Sequence, residues 1–258
     1  MKRRRTWILV LIGIIIILLI VLKIAFHQFS LNVSDGFEDP KLNKIWTNAR
    51  LEQDAFEIQS KIVHSGKNAA EINLKYGDKV ESNNGKNKDT ERDELMESRK
   101  LYAVEDIKYE YQFSMLLPDS FPILPVRLVI AQWKQDCPFC SCKNYNPILA
   151  LRYESGRFFI TLKTDSVRHV LYSTNEEIRG RWLNFRFFLR FSKGKNGEIM
   201  AFLDNKKVID YKGVTSYSND CRILSTKNKY FFKMGLYRDR ISEPMTIYID
   251  DYKKNRLD

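Results

Sequence analysis

Polar residues are paired at a spacing of two or four in three separate stretches of the sequence, ERDEL, AQWK and FFKMGLY. The pairs are Arg92 with Glu94, Gln132 with Lys134, and Lys233 with Tyr237. Side chains two or four residues apart in a β-strand lie on the same face, so each pair would share one face of its strand. Cations and an amide can bind an anion, and a lysine or a tyrosine can transfer a proton. Any one pair is more typical of a solvated sheet face, but the three together, each on a strand whose other face is apolar or nearly so, indicate a site.

The stretch YFFKMGLY indicates how such a strand is built. One face would be entirely apolar and typical of a surface that packs on a core: Phe232, Met234 and Leu236. The other face would carry a lysine and a tyrosine around a glycine, together with one phenylalanine: Phe231, Lys233, Gly235 and Tyr237. The polar pairs are therefore expected on strands whose opposite face is buried.

Short runs with β-propensity dominate the chain from residue 31 onward. Many alternate apolar and polar residues, and turn signals such as SGR, GKNGE and DNKK separate them. The segment GKNGEIMAFLDNKKVIDYKG is typical of a hairpin with its turn at Asp204 and Asn205. Helical periodicity is confined to the N-terminal stretch and to a turn or two near residues 39–44. The pattern predicts an all-β fold, a concanavalin-like jelly-roll sandwich of two packed antiparallel sheets.

The N-terminal residues predict a membrane anchor. Residues 1–6 form a basic cap, and residues 7–26 are apolar apart from Lys23, which is long enough to cross a bilayer as a helix. The cap predicts an N-terminus in the cytoplasm and a chain that continues on the extracytoplasmic side, periplasmic or at the cell surface. A cleaved signal peptide is the alternative, but no small-x-small cleavage site follows the apolar run. Residues 27–33 would be a linker, and residues 34–258 the jelly-roll domain.

The net charge is compatible with an anionic partner. The 258 residues carry a formal charge of +11, but five of the 43 basic residues and none of the 32 acidic ones lie in the first thirty. The remainder therefore has 38 basic residues and a charge of +6. Such an excess is weak guidance, since a mixed-charge surface explains most of it. We expect no nucleic-acid partner, and we expect a monomer.

Four cysteines occur, one group and one distant residue: Cys137, Cys140, Cys142 and Cys221. Outside the cytoplasm an even number predicts disulfides, with three possible pairings. A zinc site is the alternative, because Cys-x-x-Cys is a ligand spacing, but a structural site usually has two such pairs. We favour disulfides, and a bridge from the cysteine group to Cys221 would tie together two of the strands that carry polar pairs.

The domain resembles the jelly-roll polysaccharide lyases, particularly the group of the glucuronan lyases and the heparin-lyase-I-like enzymes. The resemblance runs over nearly all of residues 34–257, from DGFED to IYIDDY. Alginate lyases of this fold have a similar set of three strands, R-x-E-L, Q-x-H and YFKxGxY, which ERDEL, AQWK and FFKMGLY match in order. The resemblance implies cleavage of a uronic-acid-containing polysaccharide by β-elimination.

β-Elimination removes the C5 proton of a uronic acid and expels the substituent on O4. The proton is acidic enough only when the neighbouring carboxylate is neutralised, so donors or a cation must face that carboxylate. By resemblance, Arg92 and Gln132 have this role, and Tyr237 is the acid and, when ionised, the base. Lys134 and Lys233 would tune the site. Gly235 would let a sugar ring lie flat against the backbone.

Lys134 departs from the family pattern, which has a histidine at this position. A lysine can neutralise a carboxylate, or act as a base where burial or a like charge lowers its pKa. His169 is a second candidate for the base if its strand directs it into the groove, although an exposed edge histidine fits equally well. The departure leaves a non-catalytic carbohydrate-binding module as the alternative function. A glycoside hydrolase ranks last because it needs two facing carboxylates, and only Glu94 is placed on the site face.

Further residues are expected to bind substrate or metal. Arg152, in ILALRYE, would face the groove and pair with a carboxylate or sulfate, and Arg99 is a looser candidate. Glu94 would also lie among the substrate-binding residues. By resemblance, Glu38 in DGFED and Asp250 in YIDDY could hold a structural calcium ion where the first and last strands meet. No organic cofactor is expected.

Overall fold

The computed structural model describes residues 12–19, 21, 32–47, 49–81, 89–137, 146–165, 168–218 and 227–257. Within these ranges the regular structure after residue 32 is nearly all β. The strands, in chain order, are β1 Val33–Asp35, β2 Phe56–Gln59, β3 Ala69–Leu74, β4 Thr90–Met96, β5 Ala103–Val104, β6 Lys108–Leu116, β7 Leu128–Asp136, β8 Leu149–Glu154, β9 Arg157–Leu162, β10 His169–Thr174, β11 Trp182–Arg190, β12 Gly197–Leu203, β13 Lys206–Gly213, β14 Lys229–Asp239 and β15 Met245–Arg256. Two 3-10 turns complete them, Lys44–Trp46 and Arg99–Leu101.

The strands form two antiparallel sheets. The first has eight strands in the order β13-β12-β11-β6-β15-β3-β2, with β1 paired to β15. The second has seven strands in the order β10-β9-β8-β7-β14-β4, with β5 paired to β14. Hairpins of consecutive strands lie toward the sheet edges, whereas the central pairs join strands that are distant in sequence, such as β6 with β15 and β7 with β14. Such central pairs are expected when a chain crosses between two packed layers. The predicted all-β sandwich is confirmed.

The N-terminal stretch is described only in part. Residues 12–19 and 21 are helical. Among the described residues, no helix combines the length and the apolar character that crossing a membrane requires. The basic cap, the linker up to residue 31 and the other residues of the predicted anchor lie outside the described ranges.

Aromatic packing between the sheets fixes the strands that carry the polar pairs. Trp133 is fully buried, and its ring lies 4.6 Å from that of Phe232 and 4.9 Å from that of Phe187 of the first sheet. Since Trp133 separates Gln132 from Lys134, burying its ring turns both of these polar side chains to the outer face of β7. Met234 and Leu236 are likewise fully buried, as the alternation in β14 predicts.

A buried ion pair joins the two sheets behind β14. The Lys254 ammonium of β15 lies 2.9 Å from the Glu97 carboxylate, and both side chains are fully buried. The same carboxylate accepts hydrogen bonds from the Tyr252 hydroxyl at 2.6 Å and from the backbone N–H of Phe232 at 3.2 Å. Because a buried charge must be paired and hydrogen-bonded, this cluster fixes the position of β14 relative to the first sheet.

The predicted hairpin is present as β12 and β13. Asp204 and Asn205 form its turn, with φ values of 49° and 65°. Positive φ at both central residues is the geometry of the two-residue turn that matches the twist of antiparallel strands. Asp204 also accepts the backbone N–H of Asn184 at 2.8 Å, which attaches the turn to β11.

Candidate active site

The second sheet brings the three polar pairs together. Strand β14 lies between β4 and β7, so it contacts both. The register places Tyr237 opposite Arg92 and Lys233 opposite Gln132. Lys134 lies opposite Phe231. Residues directly opposite each other in antiparallel strands share a face, so the six side chains form one polar cluster, which we call the site face.

Glu94 is the centre of this cluster. It is only 2% exposed, and Gln132 donates a hydrogen bond from Nε2 to its Oε1. Its Oε2 lies 3.2 Å from Lys233 Nζ and 3.4 Å from Arg92 Nη1. Both oxygens are therefore engaged by protein groups. The prediction that Glu94 binds substrate is not supported by this geometry, because the carboxylate lies beneath the surface and holds the other side chains in position.

The electrostatics of the cluster favour the ionised carboxylate. Burial raises the pKa of Glu94, but Lys233, Arg92 and the Gln132 hydrogen bond together outweigh it, so the pKa lies below its usual value. Burial lowers the pKa of Lys233, although its ion pair with Glu94 opposes the shift. An anion thus faces two cations in a region of low dielectric, which makes the arrangement rigid.

Arg92 binds a second carboxylate, which sequence reasoning did not identify. Its Nη2 contacts Oε2 of Glu81, and Oε1 of Glu81 lies 2.6 Å from Nη1 of Arg50. The Glu81 side chain is 48% exposed, whereas Glu94 is almost completely buried. Arg92 therefore has one fixed carboxylate partner and one at the surface, where an external anion could exchange with it.

Tyr237 lies between two guanidinium groups. The Arg92 guanidinium is 4.2 Å from the centre of its ring, and that of Arg127 is 4.9 Å away. Arg127 in turn donates a hydrogen bond from Nε to Asp239 at 2.8 Å. Lys233, which was expected to tune the site, pairs with Glu94. The positive charge next to the Tyr237 ring comes from the two arginines.

Lys134 differs from the other cations of the site face. Among the described residues it has neither a hydrogen-bond nor an ion-pair partner, while Lys233 and Arg92 are both paired. Burial, with the Lys233 ammonium as the second cause, lowers the pKa of Lys134 to about 8. A substantial fraction of this amine is therefore neutral near pH 8, which is the condition under which a lysine can accept a proton.

Gly235 is required by the packing of the strands. Its φ is +133°, and a Cβ at this position would collide with the carbonyl oxygen of Asp93 and lie 3.0 Å from the Cα of Glu94. The register between β14 and β7 shifts between Met234 and Tyr237, next to this glycine. The close approach of β4 thus explains the glycine, and a flat surface for a sugar ring is not needed to account for it.

Sequence reasoning also missed Arg127, for an identifiable reason. Counting back from Gln132 with strict alternation assigns Arg127 to the core face. The register between β7 and β8 shifts between Val129 and Ala131, which changes the alternation and brings Arg127 next to Tyr237. The signal available in the sequence was a lone arginine in the apolar run LPVRLVIA.

The remaining predicted binding residues lie at different places. Arg152 lies opposite Val129 of β7 and Phe159 of β9, on the site face and only 5% exposed. His169 is exposed on the edge strand β10, opposite the core-facing Leu162, so the structure does not bring it into the cluster. Arg99 is exposed in the 3-10 turn before β5. Its charge acts on the phenol of Tyr102, whose ring packs against Phe231, so Arg99 lies at the edge of the cluster.

The two predicted calcium ligands bind protein backbone. Glu38 accepts the N–H of Lys67 at 3.0 Å, and Asp250 accepts the N–H groups of His64 and Ser65 at 3.1 Å each. Among the described residues, no group of three or more His, Cys, Asp or Glu side chains could hold a metal ion. The described residues therefore give no support for the predicted calcium site. Both carboxylates instead fix one loop, residues 64–67, by hydrogen bonds.

The structure describes one of the four cysteines. Cys137, directly after β7, is disulfide-bonded. Cys140, Cys142 and Cys221 lie outside the described residues. The predicted bridge to Cys221 therefore stays a prediction.

Replacing Glu94 with glutamine is expected to lower the free energy of unfolding by about 3 to 5 kcal/mol, because Lys233 loses its counter-ion and Arg92 loses the buried one of its two carboxylate partners. Glu81→Gln is the matched control, since it removes the other, half-exposed carboxylate from Arg92 and should cost less than about 1 kcal/mol. Urea denaturation at pH 7 measures both. Equal losses for the two variants would contradict the central role of Glu94.

Comparisons with known proteins agree with this architecture. A sequence profile described as polysaccharide lyase matches residues 37–253. An endo-β-1,4-glucuronan lyase from the fungus Trichoderma reesei superposes with a TM-score of 0.69 at 15% identity, covering 87% of this chain and 95% of that chain. An alginate lyase of polysaccharide lyase family 7 gives 0.55 at 14% identity, covering 80% and 85%.

A cellulose induced protein gives a TM-score of 0.54 at 11% identity, covering 86% of this chain and 96% of that chain. At such identities these structures show the shared jelly-roll fold and no more. A search of curated proteins found no match. The profile match extends over most of the sequence and includes all three strands of the site face, and on this basis the chain belongs to the polysaccharide lyase family.

Proposed function

We propose that this protein cleaves a uronic-acid-containing polysaccharide by β-elimination on the site face. One observation carries the proposal: the register places Tyr237 opposite an anion-binding arginine, Arg92, and Lys134 lies on the same face of β7, where the charges of Lys233 and Arg92 act on its ammonium. In the reaction the C5–H bond and the C4–O4 bond break, and a C4=C5 double bond forms. The C5 proton goes to a base, and the departing oxygen receives a proton from an acid.

Arg92 would bind the carboxylate of the reacting sugar. Its fixed contact with Glu94 holds the guanidinium in place, and its contact with the half-exposed Glu81 supports binding of a carboxylate at Nη2. The substrate carboxylate would exchange with Glu81 and gain the charge-assisted hydrogen bonds that stabilise the enolate-like transition state. Gln132 already uses one N–H for Glu94, so it has a single N–H left for the substrate.

The lowered pKa of Lys134 and its lack of a described partner support it as the base. The residue that replaces the family histidine would thus retain proton transfer, with an ammonium in place of an imidazolium after the transfer. Tyr237 would give its proton to the departing O4, between the two arginines that hold its ring. The resemblance had implied that Tyr237 is both the acid and the base, whereas here Lys134 takes the C5 proton and Tyr237 only donates one.

A panel of polymers tests the proposal. The full-length chain is incubated with glucuronan, alginate, heparin, heparan sulfate, chondroitin and pectate, and the ultraviolet absorbance of new unsaturated uronate ends is followed. We expect absorbance to grow with at least one polymer. Retention on an immobilised polymer, without any absorbance change, would overturn the lyase proposal and support the alternative, a non-catalytic carbohydrate-binding module.

We also propose that residues 7–26 anchor the enzyme in a membrane, with residues 34–258 on the extracytoplasmic side. The support is the apolar run behind a basic cap and the disulfide at Cys137, since disulfides persist in oxidising compartments. Extraction of cell membranes with carbonate tests the anchor: the full-length chain is expected to stay in the pellet. Release into the supernatant would contradict it.

A further inference from the structure

Arg152 is a buried cation without a counter-ion. It is 5% exposed, and its Nε donates to the Thr161 hydroxyl at 3.1 Å. Among the described residues no carboxylate lies within ion-pair distance of it. Four other lysine and arginine side chains are equally buried, and each has a carboxylate within 4.0 Å: Arg92, Lys233, Arg238 and Lys254. Arg152 is therefore the exception to a rule that the rest of the described chain obeys.

The charges around Arg152 make the exception costly. The charges that act most strongly on it are the cations Arg168 and Arg127, and the smaller effect of Glu154 opposes them. Burial, followed by the two arginines, lowers the pKa of Arg152 to about 10, which still leaves the guanidinium charged at neutral pH. A buried charge without a partner is destabilising, and such an arrangement persists where a ligand supplies the missing charge.

The position of Arg152 relates it to the reaction centre. The register runs from Arg92 through Tyr237 and Val129 to Arg152, in one line across β4, β14, β7 and β8. Adjacent strands are about 4.8 Å apart, so Arg152 lies roughly 10 Å from Tyr237 across the sheet. A polysaccharide that crosses the strands would therefore place a different sugar over each arginine.

We propose that Arg152, oriented by Thr161, forms a second anion subsite that binds the carboxylate or sulfate of a neighbouring sugar while Arg92 binds the reacting uronate. This inference rests on the proposed function and narrows it: the preferred substrate is a polymer that carries charge on sugars beyond the reacting one. Arg127 lies between the two subsites, next to Tyr237, and makes the path between them cationic.

The test measures binding in a Tyr237→Phe background, so that cleavage does not interfere. Dissociation constants are determined for glucuronan, with a carboxylate on every sugar, for chondroitin sulfate, and for unsulfated chondroitin, in which uronates alternate with neutral sugars. Arg152→Met should raise the dissociation constant of the polymer whose carboxylate or sulfate occupies the subsite by roughly 30-fold. This is the loss expected when one partner of a buried charge pair is removed. A loss on glucuronan assigns a carboxylate, and a loss confined to chondroitin sulfate assigns a sulfate.

Arg157→Met is the matched control, because Arg157 is an exposed arginine on the neighbouring strand β9 whose guanidinium stacks on Phe159. It should change the dissociation constants by less than about threefold. The melting temperature of ligand-free Arg152→Met should equal or exceed that of the wild type, since an unpaired buried charge is removed. Equal weakening in both variants, unchanged binding in Arg152→Met, or a lowered melting temperature would overturn the subsite. Binding that depends on Arg152 without cleavage by the wild type would overturn only the lyase proposal.

Discussion

Tyr237→Phe is expected to lower kcat by about 10²- to 10⁴-fold, the range that a positioned general acid contributes. The phenylalanine ring retains its contacts with the guanidinium groups of Arg92 and Arg127, so the site face should keep its shape. What the variant lacks is the hydroxyl that would protonate the departing O4. Without that proton the leaving group departs as an alkoxide, which raises the barrier to breaking the C4–O4 bond.

The measurement is the initial rate of unsaturated-end formation as a function of polymer concentration. KM should stay close to the wild-type value, because carboxylate binding depends on Arg92 and not on the phenol. Tyr172→Phe is the matched control, since Tyr172 is a partly buried tyrosine of the same sheet, on the edge strand β10, and its kcat should be unchanged. A Tyr237→Phe enzyme with wild-type kcat would exclude the tyrosine as the acid.

The alternation of residues was sufficient to predict which strands carry the site and which face they present. In β14 the apolar residues Phe232, Met234 and Leu236 are all fully buried, and Lys233 and Tyr237 lie on the opposite face. Period-two geometry is a local property of an extended chain, so it can be derived from the sequence without knowing the partner strands.

How deeply each polar side chain of that face is buried could not be derived from alternation. Glu94 and Arg92 alternate identically, yet Glu94 is beneath the surface with both oxygens engaged, whereas Arg92 also reaches the half-exposed Glu81. Which of two neighbouring polar residues is covered depends on side chains from β7 and β14. These contacts are long-range and appear only when the strands are paired.

Register shifts and loops explain the other omissions. Arg127 reaches Tyr237 because the alternation in β7 changes between Val129 and Ala131, and nothing in the local sequence specifies that shift. The calcium prediction finds no support among the described residues, for a related reason. A sequence shows that Glu38 has oxygen donors, but it does not show that backbone N–H groups of a distant loop already occupy them.

Lys134→His is expected to move the pH dependence of kcat to lower pH. In the wild type the base must be neutral, and the pKa of Lys134 is lowered to about 8, so kcat should rise with pH through about 8 and then level off. An imidazole titrates near 6.5 in water, and burial lowers this value further. The rise in the variant should therefore be complete by about pH 7.

Lys134→Met should remove this rise and lower kcat by about 10²- to 10⁴-fold, because the proton acceptor is lost. Lys206→Met, at an exposed lysine of β13 in the first sheet, is the control and should keep the wild-type profile. The direction of the wild-type profile distinguishes the two roles open to Lys134. A base is active when neutral, so kcat rises through pH 8; a residue that neutralises the substrate carboxylate is active when charged, so kcat would fall over the same range. A falling profile would reassign the base to Tyr237 and leave Lys134 as a second cation beside Arg92.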